Sequence, residues 1–303
     1  MTTAIALEDV VKRFGTTVAL DHLTFEVEVG EVHGYLGPNG AGKSVTLRTL
    51  LGLLRQDSGT VRLLGGDPWL DAVELHRRIA FVPGDVSLWP NLTGGEIIDY
   101  FAHLRGDVDP DRRARLVDRF ELDTRKKANT YSKGNRQKVA LVTALAARAE
   151  LLLLDEPTSG LDPLMEQAFQ TTINEIAAEG RTVLLSSHIL AEVESLCDRV
   201  TIIRNGTVVQ HGTLEDLRAT SLTTITVATE RALDPLEPLR GVRSIHERDG
   251  AFELQVDTKE LDGVMRHLAS LGIRSLVSRL PTLEELFLSD YSADGEGREA
   301  ARS

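Results

Sequence analysis

The chain has 303 residues, is 42% hydrophobic and 26% charged, and carries a formal net charge of −12. That balance describes a folded protein of one large or two modest domains, and the acidic surplus argues against a general nucleic-acid binder or a polybasic membrane anchor. No apolar run approaches the ~20 residues of a bilayer span, no basic-then-apolar leader is visible, and the single cysteine, Cys197, excludes an intrachain disulfide. The expectation is a protein kept in the cytosol that meets a membrane only through a partner. Cys197 itself reads as a small buried hydrophobe near a helix end.

Weak alternation of Ile5, Leu7 and Val10 over 4–11 predicts a first strand, and Lys12-Arg13-Phe14-Gly15 a turn. Phe14 is open to two readings, a ring that stacks on an adenine base or a core aromatic. Leu23, Phe25, Val27 and Val29 alternate through a second strand ending at Gly30-Glu31. An apolar stretch, Val32 to Leu36, leads into Gly37-Pro38-Asn39-Gly40-Ala41-Gly42-Lys43-Ser44, a full match to G-x-x-x-x-G-K-[ST]. Glycines let the backbone curl so that N–H groups point at phosphates. In that pattern Lys43 supplies a point charge to the β- and γ-phosphates, and Ser44 a hydroxyl ligand for Mg²⁺. Residues 45–51 read as the helix behind the loop, the strand–loop–helix setting the motif requires.

A turn at Gln56-Asp57-Ser58-Gly59 precedes a short strand through Val61 and Leu63 to Gly65-Gly66. A helix over 71–78 and a buried strand Ile79-Ala80-Phe81-Val82, stopped by Pro83-Gly84, come next. Thr93 with Glu96 fits a capping box. From there a helical insertion runs over about 90–130, continued to about 145 by the apolar helix Val139 to Ala147. Its charge runs, Arg112-Arg113 and Arg125-Lys126-Lys127, read as solvated faces. Tyr131-Ser132-Lys133-Gly134-Asn135 opens that last helix, and Ser132 with Gly134 is either an anion site or an ordinary N-cap.

Leu151-Leu152-Leu153-Leu154-Asp155-Glu156 reads as a fully buried parallel strand ending in two carboxylates on the ligand side of an open sheet. Asp155 can hold Mg²⁺ and Glu156 can polarise a water. Another buried strand, Thr182 to Ser187, ends at His188, which either sits near the γ-phosphate or is structural. Val200 to Ile203, an Asn205-Gly206 turn and Thr207 to Gln210 form a hairpin. A helix over 213–220 marks a boundary. Beyond it, Ile225/Val227, a short helix Pro235 to Arg240, strands Val242 to Glu247 and Ala251 to Val256 joined at Asp249-Gly250, the helical face Leu261, Val264, Met265, Leu268 and Leu271, and Ile273 to Leu280 follow a β-α-β-β-α-β order. This predicts an α/β P-loop domain over 4–220 and a small α+β, ferredoxin-like domain over 221–289. Residues 290–303 form a polar tail, expected to be disordered.

The P-loop, Tyr131-Ser132-x-Gly134, Leu151 to Glu156 and His188, in that order, resemble the nucleotide-binding subunit of an ABC transporter, with an antiparallel β subdomain and a helical subdomain. The C-terminal unit, with Pro281-Thr282-Leu283-Glu284-Glu285-Leu286-Phe287, is similar to the tail of daunorubicin-resistance-type ATPases, which serve drug and multidrug exporters with ABC-2-type permeases. The resemblance implies an ATPase using ATP and Mg²⁺, on the cytoplasmic side of the membrane. It implies Phe14 against adenine, Gly37 to Ser44 on the phosphates, and Ser132 and Gly134 on the γ-phosphate of a second copy. Glu156 becomes the general base, Ser159-Gly160-Leu161-Asp162 the dimer-interface loop, and His188 the switch histidine. The partners implied are a second copy of the chain, sandwiching ATP, and an integral ABC-2-type permease reached by the helical insertion.

Three departures from the pattern stand out. Gly84-Asp85 stand where the family has glutamine, Val45 where a hydroxyl touches the α-phosphate, and Lys133 and Asn135 replace Gly and Gln. The alternative class is a soluble ABC-type ATPase with a non-transport partner. A GTPase would need a guanine-reading Asn-Lys-x-Asp, which is absent.

Overall fold

The computed structural model describes residues 2–106, 108–219, 222–231, 239–248 and 250–279. The chain divides into two compact units between His211 and Gly212. The first opens with the hairpin β1 (Thr3–Phe14) and β2 (Thr17–Glu28), then β3 (Val32–Leu36), α1 (Lys43–Leu50) and β4 (Ser58–Leu63). An antiparallel three-stranded sheet forms in the order β2-β1-β4.

Here β1 runs on through Lys12, Arg13 and Phe14, where alternation alone suggests a turn; the reversal falls at Gly15-Thr16. Asp9 adopts a φ of 53° between register shifts, and this bulge breaks the alternation that marks a strand. The Asp57 carboxylate then holds the extension, accepting from Arg13 N at 2.6 Å and Lys12 Nζ at 2.9 Å.

After α2 (Ala72–Arg78) and β5 (Ile79–Val82) come α3 (Gly94–Arg105), α4 (Pro110–Arg119) and α5 (Lys133–Leu145). The capping box at α3 is complete: Glu96 N donates to Thr93 Oγ1 at 3.2 Å and Thr93 N to Glu96 Oε2 at 2.7 Å. Of the charge runs expected to be solvated, only the second is. Arg125 is almost fully exposed. Arg112, with 17% of its side chain exposed, reaches Glu179 at 2.7 Å, and Arg113 reaches Asp99 at 2.6 Å. Arginine stems pack on apolar surface while their heads find acids, which charge patterning cannot reveal.

Next come β6 (Leu151–Asp155), α6 (Pro163–Ala178), β7 (Thr182–Ser187), α7 (Leu190–Leu196), β8 (Arg199–Arg204) and β9 (Thr207–Thr213). The second sheet has six strands in the order β5-β6-β7-β3-β8-β9, parallel from β5 to β8. Every residue of β3, β6 and β7 is buried, as strands covered on both faces must be. Register aligns their carboxyl ends: Leu36 pairs with Ser187, and Asp155 with Ser186. The loops starting at Gly37, Glu156 and His188 therefore leave the sheet side by side, where ligands bind in open α/β folds. Cys197, just beyond α7, is buried, and burial pushes its thiol pKa up.

The second unit holds α8 (Leu214–Ala219), β10 (Leu222–Thr229), β11 (Val242–Arg248), β12 (Ala251–Asp257), α9 (Leu261–Ser270) and β13 (Ile273–Arg279). Its sheet runs β11-β12-β10-β13 with every neighbour antiparallel, the strand order of a ferredoxin-like unit. Ile225, Val227, Leu254 and Val256 meet Val264 and Leu268 of α9 in its core. Residues 235–238 of the expected helix, Asp249, Leu280, the 281–287 motif and the 290–303 tail lie outside the described residues. Among the described residues no helix is long and apolar enough to cross a membrane.

Candidate active site

The loop from Gly37 to Gly42 joins β3 to α1, and local crowding selects glycine at 37 and 42. A Cβ on Gly37 would stand 2.5 Å from the Ile203 carbonyl oxygen; Gly42, at φ 114°, would meet the Ala19 carbonyl at 2.9 Å. The Asn205-Gly206 turn braces the loop from behind, Gly206 N donating to Ala41 O at 2.9 Å. Pro38 is half-buried, while Asn39, Gly40 and Ser44 are exposed. The first N–H groups of α1 face back over this loop, as at any anion-binding helix start. Val45 turns away and packs against the apolar core.

Lys43 is 5% exposed, and its Nζ donates to the carbonyls of Gly37 at 2.6 Å and Pro38 at 3.3 Å. It also lies 3.8 Å from Glu156 Oε1. Burial pulls the lysine pKa down; the Glu156 and Asp155 carboxylates oppose this. Ser44 Oγ donates to Asp155 Oδ2 at 3.0 Å, and Ser186 Oγ to Asp155 Oδ1 at 2.5 Å. Glu156 takes a left-handed φ of 45°, with its N–H donating to Ser186 O at 3.1 Å. That conformation is uncommon for a non-glycine residue and aims the carboxylate out of the strand line. Glu156 Oε1 stands 3.2 Å from His188 Nδ1.

Lys43, Ser44, Asp155, Glu156 and His188 thus form one cluster. Two touching oxygen donors, from Ser44 and Asp155, suit a hard cation that takes its remaining ligands from phosphate and water. Among the described residues no group of three or more His, Cys, Asp and Glu is placed to hold a metal alone.

Ser132 and Gly134 belong to a neighbouring cluster. Ser132 caps α5, its Oγ accepting from Asn135 N at 3.2 Å. A Cβ on Gly134 would lie 2.3 Å from the Gly160 carbonyl, so the two loops touch backbone to backbone. Lys133 Nζ donates to Ser159 Oγ at 2.8 Å, and the buried Gln137 Nε2 to Pro157 O at 2.9 Å. Phe14 is 50% exposed beneath Lys12, which settles it as a surface ring rather than core. Gly84 abuts Asp155, whose Oδ2 would lie 3.6 Å from an added Cβ, and Asp85 is exposed.

Three contributors escape sequence reasoning. Ser186 holds both Asp155 and Glu156, Gln137 ties α5 to the loop after Glu156, and Gly206 braces the P-loop. A hydroxyl pair ending an aliphatic strand, Ser186-Ser187, is the one local signal among them. Gly134→Ala is expected to force the two loops apart at an overpacking cost of ~1–3 kcal/mol. Turnover should fall while binding of a nucleotide analogue to the separate chain stays near wild type; wild-type turnover would sink the importance of that contact.

Residues 20–159 match the ABC transporter family, and residues 212–291 match the C-terminal domain of DrrA1-3-like ATP-binding proteins. The daunorubicin resistance ATP-binding protein DrrA3 of Streptomyces coeruleorubidus is 36% identical, with 99% of each chain covered. The daunorubicin/doxorubicin resistance ATP-binding protein DrrA of Streptomyces peucetius is 33% identical over 99% of this chain and 96% of its own. Among solved structures, the dimeric form of MJ0796, a bacterial ABC transporter cassette, superposes with a TM-score of 0.63. It is 26% identical, covering 69% of this chain and 98% of that one.

Proposed function

The chain belongs to the ABC transporter family as an ATP-hydrolysing, ATP-binding subunit of the daunorubicin-resistance type, and on that premise we propose that it powers export of a drug or other hydrophobic compound through a separate ABC-2-type permease. One observation carries the export reading: the likeness to daunorubicin-resistance proteins runs through both units, the C-terminal domain included.

The working form is two copies closed head to tail around ATP, at the cytoplasmic face of the membrane. Gly37 to Ser44 of one copy hold the phosphates, with Lys43 as the charge against the β- and γ-phosphates. Phe14 stacks on the adenine. Ser132 and Gly134 of the second copy cover the γ-phosphate, so each site is complete only when both chains meet. Glu156 then accepts a proton from the attacking water, 3.2 Å from the His188 ring that orients it. Ser44 and Asp155 would hold Mg²⁺, which neutralises charge on the phosphates when bound. Closure excludes water and assembles the site in one motion.

The surface for the permease lies on the helical side. Trp89, Tyr100 and Phe101 pack ring to ring, Trp89 at 5.4 and 5.9 Å from the other two, and Trp89 and Tyr100 stay half exposed. Beside them a groove of about 590 Å³ is lined by Leu53, Phe81, Leu88 and Leu104. Exposed aromatics around an apolar groove suit an incoming helix.

The test is crosslinking in native membranes followed by mass spectrometry, with dye export assayed in inverted vesicles. The expected result is a multi-helix membrane protein without its own ATPase domain, and ATP-dependent uptake of a hydrophobic cationic dye. Capture of a soluble partner instead, with no uptake, would overturn the export reading.

A further inference from the structure

Glu192 lies in the first turn of α7 and is buried, with 8% exposed. Its Oε2 accepts from the Ser187 hydroxyl at 2.7 Å. That same hydroxyl accepts from Ile189 N at 2.9 Å. Ser187 and Ile189 flank His188, so one carboxyl group pins the backbone on both sides of the histidine. The Thr158 hydroxyl, from the loop that begins at Glu156, faces it too. The other oxygen, Oε1, is buried without a hydrogen-bond partner among the described residues.

We propose that Glu192 is a positioning residue for hydrolysis, its carboxyl group clamping the Ser187–Ile189 loop so that His188 is held against Glu156. This rests on the roles given above to Glu156 and His188. Glu192 touches neither nucleotide nor water; it acts through the loop. Charging it would place a carboxylate with an unmatched oxygen inside the protein, near a second acid. The groups that face it are Glu166 from α6 and His188 from the loop, with Cys197 beyond the far end of α7. Burial, then Glu166, raises the Glu192 pKa, while Ser187, Thr158 and His188 oppose.

The sign follows. The folded chain binds this proton more tightly than the unfolded chain does. Its stabilising contribution is full at acid pH and is lost as pH rises from the ordinary glutamate range through the raised folded value.

The experiment compares Glu192→Ala, Glu192→Gln and His188→Ala in the full chain. It measures kcat and KM for ATP at neutral pH, with binding of a nucleotide analogue as the check on folding. Glu192→Ala should lower kcat about ten- to a hundredfold, with KM within about twofold. Glu192→Gln keeps the shape and an oxygen that can accept from the Ser187 hydroxyl, so it should restore kcat to within about threefold of wild type. Wild-type kcat in Glu192→Ala, or a Gln variant as impaired as Ala, would each overturn the clamp. If Glu192→Ala does not fold, Ser187→Ala, which removes the hydroxyl that Glu192 holds, decides in its place: the same fall in kcat at a similar KM is expected, and wild-type kcat would overturn the clamp. Wild-type turnover in His188→Ala would instead overturn the role given to His188, whatever the Glu192 variants do.

Discussion

Replacing Glu156 with glutamine is expected to abolish ATP turnover, leave nucleotide binding intact and trap two copies closed around ATP. The carboxylate stands at the end of a buried strand, turned out by a left-handed φ of 45°. Its Oε1 is 3.2 Å from His188 and 3.8 Å from Lys43, so it sits between the histidine and the P-loop lysine. Glutamine keeps the shape and one hydrogen-bonding oxygen but cannot accept the proton of an attacking water. A general base contributes ~10²–10⁴-fold, and at least that loss is expected in released phosphate. Removing the negative charge also favours the ATP-bound state, since a carboxylate beside the γ-phosphate is repulsive. Size-exclusion chromatography with ATP should therefore show a dimer in the variant and mostly single chains in wild type. Turnover at the wild-type rate would remove Glu156 from its role.

Lys43→Ala should weaken nucleotide binding by ~10- to 100-fold, the loss of a charge-assisted hydrogen bond worth ~1.5–3 kcal/mol. Before nucleotide binds, Nζ is not idle: it satisfies the Gly37 and Pro38 carbonyls and shapes the loop. The variant loses both the charge and that internal brace. Titration with a fluorescent ATP analogue reads the effect. Unchanged affinity would mean that the loop amides alone hold the phosphates.

Much of this site is legible in the residues because phosphate chemistry constrains short stretches. Gly37 to Ser44 and Leu151 to Glu156 each carry their elements with them, and both lie where strand and helix were expected. The Thr93 capping box, the Asn205-Gly206 turn and the four strands of the second unit are equally local, set by turn chemistry and period. The far end of the first strand was not legible. A bulge at Asp9 interrupts the alternation, and the Asp57 anchor lies 44 residues from the Arg13 it holds. Arg112 failed for a related reason, since its partner Glu179 comes from another helix region 67 residues away.

The residues alone name the groups that the proposed function would bring to a phosphate: a glycine cradle, one lysine, a hydroxyl with a carboxylate, and a second carboxylate. Only the tertiary structure decided how they meet. Parallel register sets Leu36, Asp155 and Ser187 side by side at the carboxyl end of the sheet, and Ser186, Gln137, Gly206 and Glu192 then fix the loops that follow. Such supports carry no motif, because a single long-range hydrogen bond constrains one side chain and leaves its neighbours in sequence free.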